Sequence, residues 1–391
     1  MFRRHWSGLP QEAHFPTSLE ELGYFINDED EIRNIEKPDL YFKFFLDHNS
    51  RVNQRQRFVF DQALEDIVHQ RLEKLGLSKV RLPLGAQADE RHVPIMTSSD
   101  LESKSHVIVI FGEPSQELGL LAKRVANGRG GIDKGSLVSV VRALQKRQMD
   151  HAPGFVIANP GQLYWWPEGR RALTVVAKNA VPLPSLVHRG CRFVAGLHDV
   201  PGNEDPARHV RYVCRQVFDR MVKPDARITF VAIGQSCELL TRYLDHVENW
   251  PAWEGRLNSM LLLGHVYPDD DLVNPAFKDF LAKRTRAYLV SDLPLDMPLA
   301  PPTGNADEGI PNLGCPCFSS SEPFYTELVL IRALQSVANY IQVAAEAPDF
   351  ENPPIVVTKR PQPDEVAELE WDKVPLEAKP CISVVTPAGG E

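Results

Sequence analysis

Arg227-Ile-Thr-Phe-Val-Ala-Ile-Gly-Gln-Ser-Cys-Glu-Leu-Leu-Thr-Arg-Tyr-Leu244 is the stretch on which the reading of this chain turns. Its first half is a continuous β-branched and aromatic run, the mark of a strand buried on both faces. Its second half has helical spacing. Between them sits Gly234-Gln235-Ser236-Cys237. A strand, a sharp turn carrying a serine, and a helix make the layout of a nucleophile elbow, with Ser236 at the nucleophile position. Gly234 would permit the close approach, and the N–H of Cys237 would be the first oxyanion donor. The second glycine of the G-x-S-x-G pattern is replaced by Glu238.

Outward from this stretch, buried strands and amphipathic helices alternate. The sequence predicts strands over 106–111, 154–158, 228–233, 260–263 and 287–290. Helices are predicted over 135–148, 207–222, 237–247, 275–283 and 324–345. Such alternation implies an α/β fold, a mainly parallel sheet covered by helices on both faces. Upstream, residues 22–33 read as a β-hairpin, followed by a long amphipathic helix over 53–75 that Gly76 stops. Residues 84–105 are polar and read as loop. Residues 1–20 read as a disordered arm, so the domain is expected over 21–347. Two insertions interrupt it, at 159–205 and 291–321, both far longer than usual connections. The segment 348–391 carries eight prolines and few periodic apolar positions, the composition of a disordered tail.

Composition sets the partner classes. The net charge of −9 over 391 residues gives no global attraction to a phosphate backbone, so no direct nucleic-acid binding is expected. No apolar run approaches the roughly 18 residues of a membrane span, and the N-terminus has no signal-peptide core. Six cysteines in a chain this long do not suggest a disulfide framework. These features favour a nuclear or cytoplasmic setting over secretion.

The residues that carry a family likeness are the 22–33 hairpin, the helix after it, the 106–111 strand, the strand ending Ala158-Asn159, and the Gly-Gln-Ser-Cys turn. Together they resemble the Arb2 domain family, named after an Argonaute-binding protein. The likeness covers about residues 20–345. Segments 118–125, 129–139 and 162–167 resemble its fungal stand-alone branch. Related domains occur at the C-terminus of fungal class II histone deacetylases and in animal co-transcriptional regulators. The resemblance implies an α/β-hydrolase-like fold and an association with small-RNA silencing and heterochromatin. It also implies protein partners, an Argonaute or a chromatin-modifying complex.

The catalytic set is incomplete in the sequence. The order Ser…Asp/Glu…His needs a late histidine, and the last one is His265. Animal members of the resembled family carry a histidine near residues 319–325, where Tyr325 or a serine stands here. Tyrosine, with a pKa of about 10, is a poor base near neutrality. His265, just after the next strand, and His198, in the long insertion, are the substitutes that could reach Ser236. His106 opens its strand and so lies at the wrong end of the sheet. The loop Gly112-Glu113-Pro114 should supply the second oxyanion donor, but Pro114 has no N–H and Glu113 brings a negative charge.

The remaining motifs are weaker. Asp269-Asp-Asp271 reads as a solvated acidic run, and Cys315-Pro-Cys317 lacks the further ligands that zinc needs. No metal or cofactor is expected. Gly128-Arg-Gly-Gly131 reads as a mobile loop, without P-loop spacing. Tyr164, Trp165 and Trp166 anchor an insertion or form a partner-binding patch, since Trp and Tyr dominate interface hot spots; Trp250 and Trp253 are a second aromatic pair. The preferred expectation is a non-catalytic interaction module on a degenerate hydrolase scaffold. The alternative is a serine esterase or acyl hydrolase with Ser236 as nucleophile and His265 or His198 as base.

Overall fold

A computed structural model describes residues 8–147, 152–185, 193–347 and 349–357. The N-terminal hairpin forms as expected: β1 (Tyr24–Ile26) pairs antiparallel with β2 (Ile32–Asn34). The long helix α1 (Ser50–Lys74) follows, and Asn49 caps it by accepting the Arg51 N–H. Then come β3 (Leu77–Leu82), β4 (Val93–Ser98) and β5 (His106–Phe111). Short turns α2 (Lys123–Ala126) and α3 (Gly131–Lys134) lead into α4 (Leu137–Arg147). Strand β6 (Gly154–Ala158) opens the first insertion, which contains the hairpin β7 (Tyr164–Trp166) and β8 (Arg171–Leu173). Helix α5 (Pro206–Tyr212) passes through one π turn at Val213–Val217 into α6 (Phe218–Met221). After β9 (Arg227–Ile233) come α7 (Ser236–Asp245), β10 (Leu257–Leu263), α8 (Pro275–Arg284) and β11 (Thr285–Leu289). The second insertion holds β12 (Pro298–Ala300) and β13 (Cys317–Ser319), and α9 (Val329–Glu346) follows.

Nine of these strands form one sheet in the order β12-β13-β11-β10-β9-β5-β6-β4-β3. Strands β13, β11, β10, β9, β5 and β6 are parallel, while β4 runs antiparallel to both neighbours. This is an α/β-hydrolase-like sheet. Its apolar strands serve two cores by alternation. In β5, Val107, Val109 and Phe111 face the core under α5 to α8, and Ile108 and Ile110 face the core under α1, α4 and α9. Each fully buried side chain of this size is worth about 1.5–3 kcal/mol.

Several expectations need correction. Residues 84–105 are not all loop, because β4 lies inside them, and β3 was not anticipated. Pro94 obscured β4, since proline argues against a central strand. It is accommodated because β4 pairs with β6 only at Met96 and Thr97. Residues 8–20 are not a free arm: the buried Glu12 carboxylate binds Arg51 and Arg55 and accepts the Leu183 N–H. The domain also runs past 347, where Asn352 hydrogen-bonds the carbonyls of Ala282 and Thr285. The rest of the expected tail, residues 358–391, lies outside the described residues. Helix α9 is long and apolar enough to cross a membrane by composition. Val329, Ala333, Val337 and Ile341 are buried in the core, so it serves as a core helix. The Gly128–Gly131 loop packs under the hairpin, with Gly130 N–H bonded to Glu31 and Ile132 N–H to the Asp30 carbonyl.

Candidate functional site

The elbow exists, but its centre is Gly234. That residue follows β9 directly and has φ +57°, the left-handed conformation that glycine takes without strain. Gln235 is exposed and already helical, with φ −60° and ψ −21°. Ser236 is the first residue of α7 and is fully buried. The small residues that let the helix cross close to the strand are therefore Ala232 and Ser236, two before and two after Gly234. Both are 0% exposed. The nucleophile position of the elbow is occupied by a residue with no side chain, and the placement of the nucleophile at Ser236 is corrected by two residues.

Ser236 is held as a structural hydroxyl. Its Oγ donates to the Gly112 carbonyl at 2.6 Å, and among the described residues no histidine is within hydrogen-bond reach of it. Cys237 moves with this shift. Its N–H is bonded to the Gly234 carbonyl at 3.0 Å, so it is not a free oxyanion donor. Its thiol faces the Ala232 carbonyl, and burial pushes its pKa up to about 12. The donor equivalent to the residue after the nucleophile is the Gln235 N–H.

That donor is occupied by Glu113. The Glu113 carboxylate folds over the turn, accepts the Gln235 N–H at 3.1 Å, and fills the space that a Cβ on Gly234 would need. Desolvation raises its pKa above the usual carboxylate range, opposed by the Gln235 N–H and by the nearby His265. The loop expected to stabilise an oxyanion thus covers its donor with a carboxyl group.

The two candidate bases are committed elsewhere. His265 Nε2 lies 3.4 Å from the Glu238 carboxylate. Glu238 does not crowd the elbow, because its side chain turns outward and pairs with Arg242 at 2.8 Å. As an acid in the first turn of α7 it also suits the helix dipole. His198 is buried in the insertion, where its Nδ1 accepts the Val194 N–H and its ring stacks on Tyr164 at 4.8 Å. His106 bonds Thr229 at the start of β5, at the far edge of the sheet. Tyr325 lies under the guanidinium of Arg124, 3.6 Å from its ring centroid.

The aromatic patch is also corrected. Tyr164 and Trp165 are 6% and 3% exposed, so they anchor the insertion and offer no surface to a partner. Trp166 packs on Phe58. Trp250 and Trp253 are buried in the core as well. Among the described residues no cluster of three or more His, Cys, Asp or Glu is arranged to hold a metal. Asp269 is spent on Lys278. Cys315 and Cys317 are buried core thiols.

Two features escaped the sequence. His209 is fully buried, and burial lowers its pKa to about 3. Its Nε2 accepts the Asn159 N–H and its Nδ1–H faces the Asn203 oxygen, so a neutral ring joins the start of the insertion to its end. Asn159 continues this network through Gln162 to the buried Glu65, which Arg171 neutralises. The second feature is a cavity of about 340 Å³ between α1, the loop after β5 and the insertion. Phe44, Phe58, Leu173 and Val176 give it apolar walls, and Asp61, Glu117 and Lys123 lie at its polar side.

Among solved structures, an esterase of Pyrococcus furiosus is 8% identical, covering 69% of this chain and 94% of its own, with a TM-score of 0.35. Esterase LipW of Mycobacterium marinum is 10% identical, covering 78% of this chain and 92% of its own, with a TM-score of 0.36. LpqC of Bordetella parapertussis, a poly(3-hydroxybutyrate) depolymerase, is 12% identical, covering 73% and 96%, with a TM-score of 0.34. No curated protein matches the sequence significantly. The Arb2 domain matches residues 15–295, most of the chain, and this protein therefore belongs to the Arb2 domain family.

Proposed function

We propose that this protein is a non-catalytic protein-interaction module on a degenerate α/β-hydrolase scaffold. One observation carries the reading: the Glu113 carboxylate fills the side-chain space of Gly234, the nucleophile position, and takes the Gln235 N–H. An acyl-transfer site needs a nucleophile, a base and a free oxyanion donor. Here the first is glycine, the second is, among the described residues, out of reach of the turn serine, and the third is taken by the Glu113 carboxyl group.

The cavity beside α1 is the surface we assign to partner contact. Its wall residue Val176 and the chain neighbours Phe45, Leu46 and Val175 are all exposed, Phe45 by 75%. By family, the partner would be an Argonaute or a chromatin-modifying complex, and the setting small-RNA silencing or heterochromatin, in the nucleus or cytoplasm. The acidic net charge favours a protein partner over nucleic acid.

Fluorophosphonate labelling of the purified protein tests the catalytic half. No labelling dependent on Ser236 is expected; labelling lost in Ser236→Ala would establish the serine-hydrolase alternative. Affinity purification with wild type and Phe45→Asp/Val175→Asp tests the other half. Recovery of neither Argonaute nor chromatin-modifying proteins by wild type removes the silencing setting.

A further inference from the structure

At the edge of the sheet opposite the elbow, the first residues of β9 and β10 and the last of α8 enclose a second cavity, of about 380 Å³. Among the described residues four cations line it: Arg227, Arg256, Lys283 and Arg284. Three acids also line it. Asp279 and Glu351 are spent on Lys283, at 3.1 and 3.5 Å, and Glu254 is exposed. Among the described residues neither Arg227 nor Arg256 has an acid within ion-pair distance. Arg256 is partly buried, held by the Lys223 carbonyl at 3.1 Å, and burial pulls its pKa down despite Asp219 and Asp225 nearby. Arg284 is held by the Asn258 carbonyl at 3.1 Å.

Three residues that line the cavity also bury polar atoms without hydrogen bonds among the described residues. Asn258 is 3% exposed, and among the described residues neither its side-chain nitrogen nor its oxygen has a partner. Trp250 is 4% exposed and its indole N–H is likewise unpaired, as is Nε of Arg256. A buried polar group left unpaired costs about 1–3 kcal/mol, and folded proteins keep few of them. Four such atoms, each closed to solvent, lie on three residues that line one cavity, and rotation of the Asn258 amide would turn its two towards a ligand.

We propose that this cavity binds a small phosphate-bearing molecule. Guanidinium forks match phosphate oxygens in geometry and charge, and Arg227 and Arg256 line the space beside the already engaged Arg284. Side-chain rotation at Asn258 would add a neutral N–H donor. The Asn258 oxygen selects among anions, because it can only accept a hydrogen bond. A monohydrogen phosphate carries a P–OH to donate, and sulfate near neutrality does not. The cavity exceeds the volume of one phosphate group, leaving room for an organic remainder along Trp250 and Phe280. This inference is independent of the reading of the elbow.

Calorimetric titration of the full chain with inorganic phosphate, and separately with sulfate at equal ionic strength, tests it. Saturable phosphate binding is expected, with sulfate weaker. Arg256→Gln and Arg227→Gln should each weaken phosphate by about tenfold, the loss of one charge-assisted contact. Arg227 is exposed at the strand start, so its variant keeps the test decisive if Arg256→Gln fails to fold. Phosphate binding weaker than about 10 mM, equal binding of sulfate, or binding unchanged in Arg227→Gln would overturn the proposal.

Discussion

The carboxylate of Glu113 stands in the space that any side chain at Gly234 would occupy. The two residues are far apart in sequence, on the loops after β5 and β9, and the adjacency of those strands brings them together. Gly234→Ala therefore meets two penalties. A non-glycine residue in the left-handed region costs about 1–2 kcal/mol, and the new Cβ must displace the carboxylate. Denaturant unfolding should show Gly234→Ala destabilised by more than the backbone strain alone. In Gly234→Ala/Glu113→Ala the total should fall short of the sum of the single effects by about 1 kcal/mol. Simple additivity would mean that Glu113 does not fill the elbow.

Removing the Ser236 hydroxyl provides a second check. The hydroxyl is buried and bonded to the Gly112 carbonyl. Ser236→Ala should destabilise the fold by about 1–2 kcal/mol, the cost of one lost buried hydrogen bond and an under-satisfied carbonyl. Catalytic residues commonly sit at a cost to stability. A Ser236→Ala variant more stable than wild type would favour a catalytic serine.

His209 should make stability depend on pH. Its pKa falls from an ordinary 6.5 to about 3 in the folded protein because burial excludes the charged form. Between those values the unfolded chain binds a proton that the native ring refuses. The contribution of neutral His209 is thus fully present above pH 6.5 and is lost as pH falls towards 3, at about 1.4 kcal/mol per unit. Unfolding curves from pH 7 to 4 should show this slope, and His209→Gln should flatten it. An equal slope in His209→Gln would assign the effect to other groups.

Trp165 distinguishes an anchor from a contact residue. It is 3% exposed, its backbone N–H is bonded to the His198 carbonyl, and its side chain packs with Val93 and Val200. Trp165→Ala should cost about 3–5 kcal/mol, as large-to-small core changes do. A surface hot spot would instead leave stability nearly unchanged and abolish partner capture. Thermal melting beside the affinity experiment separates the two.

The α/β alternation was legible because strands buried on both faces must be continuously apolar, and β5, β6 and β9 are. Strands β4, β12 and β13 were not legible. They are short or carry proline, and they exist because a neighbouring strand offers hydrogen bonds, which is a long-range fact. The strand, turn and helix around Gly234 and Ser236 were legible. The register of the turn was missed because Ser236 carries a recognisable side chain and Gly234 carries none, while the backbone conformation that defines the turn leaves no side-chain signature.

The sequence by itself determined the class of the molecule: the alternating periods, the hairpin and helix at the front, the family, and the missing late histidine. Local spacing encodes the periods and elements, residue identity gives the missing histidine, and the family rests on motif resemblance. The state of the site was decided only by tertiary structure. Gly234 as the turn residue, Ser236 turned into the Gly112 carbonyl, Glu113 seated on the Gln235 N–H, and His198 and His265 paired away from the elbow all depend on which loops meet. Loops at one sheet edge meet through strand order, and strand order is a product of the packed core rather than of any one segment.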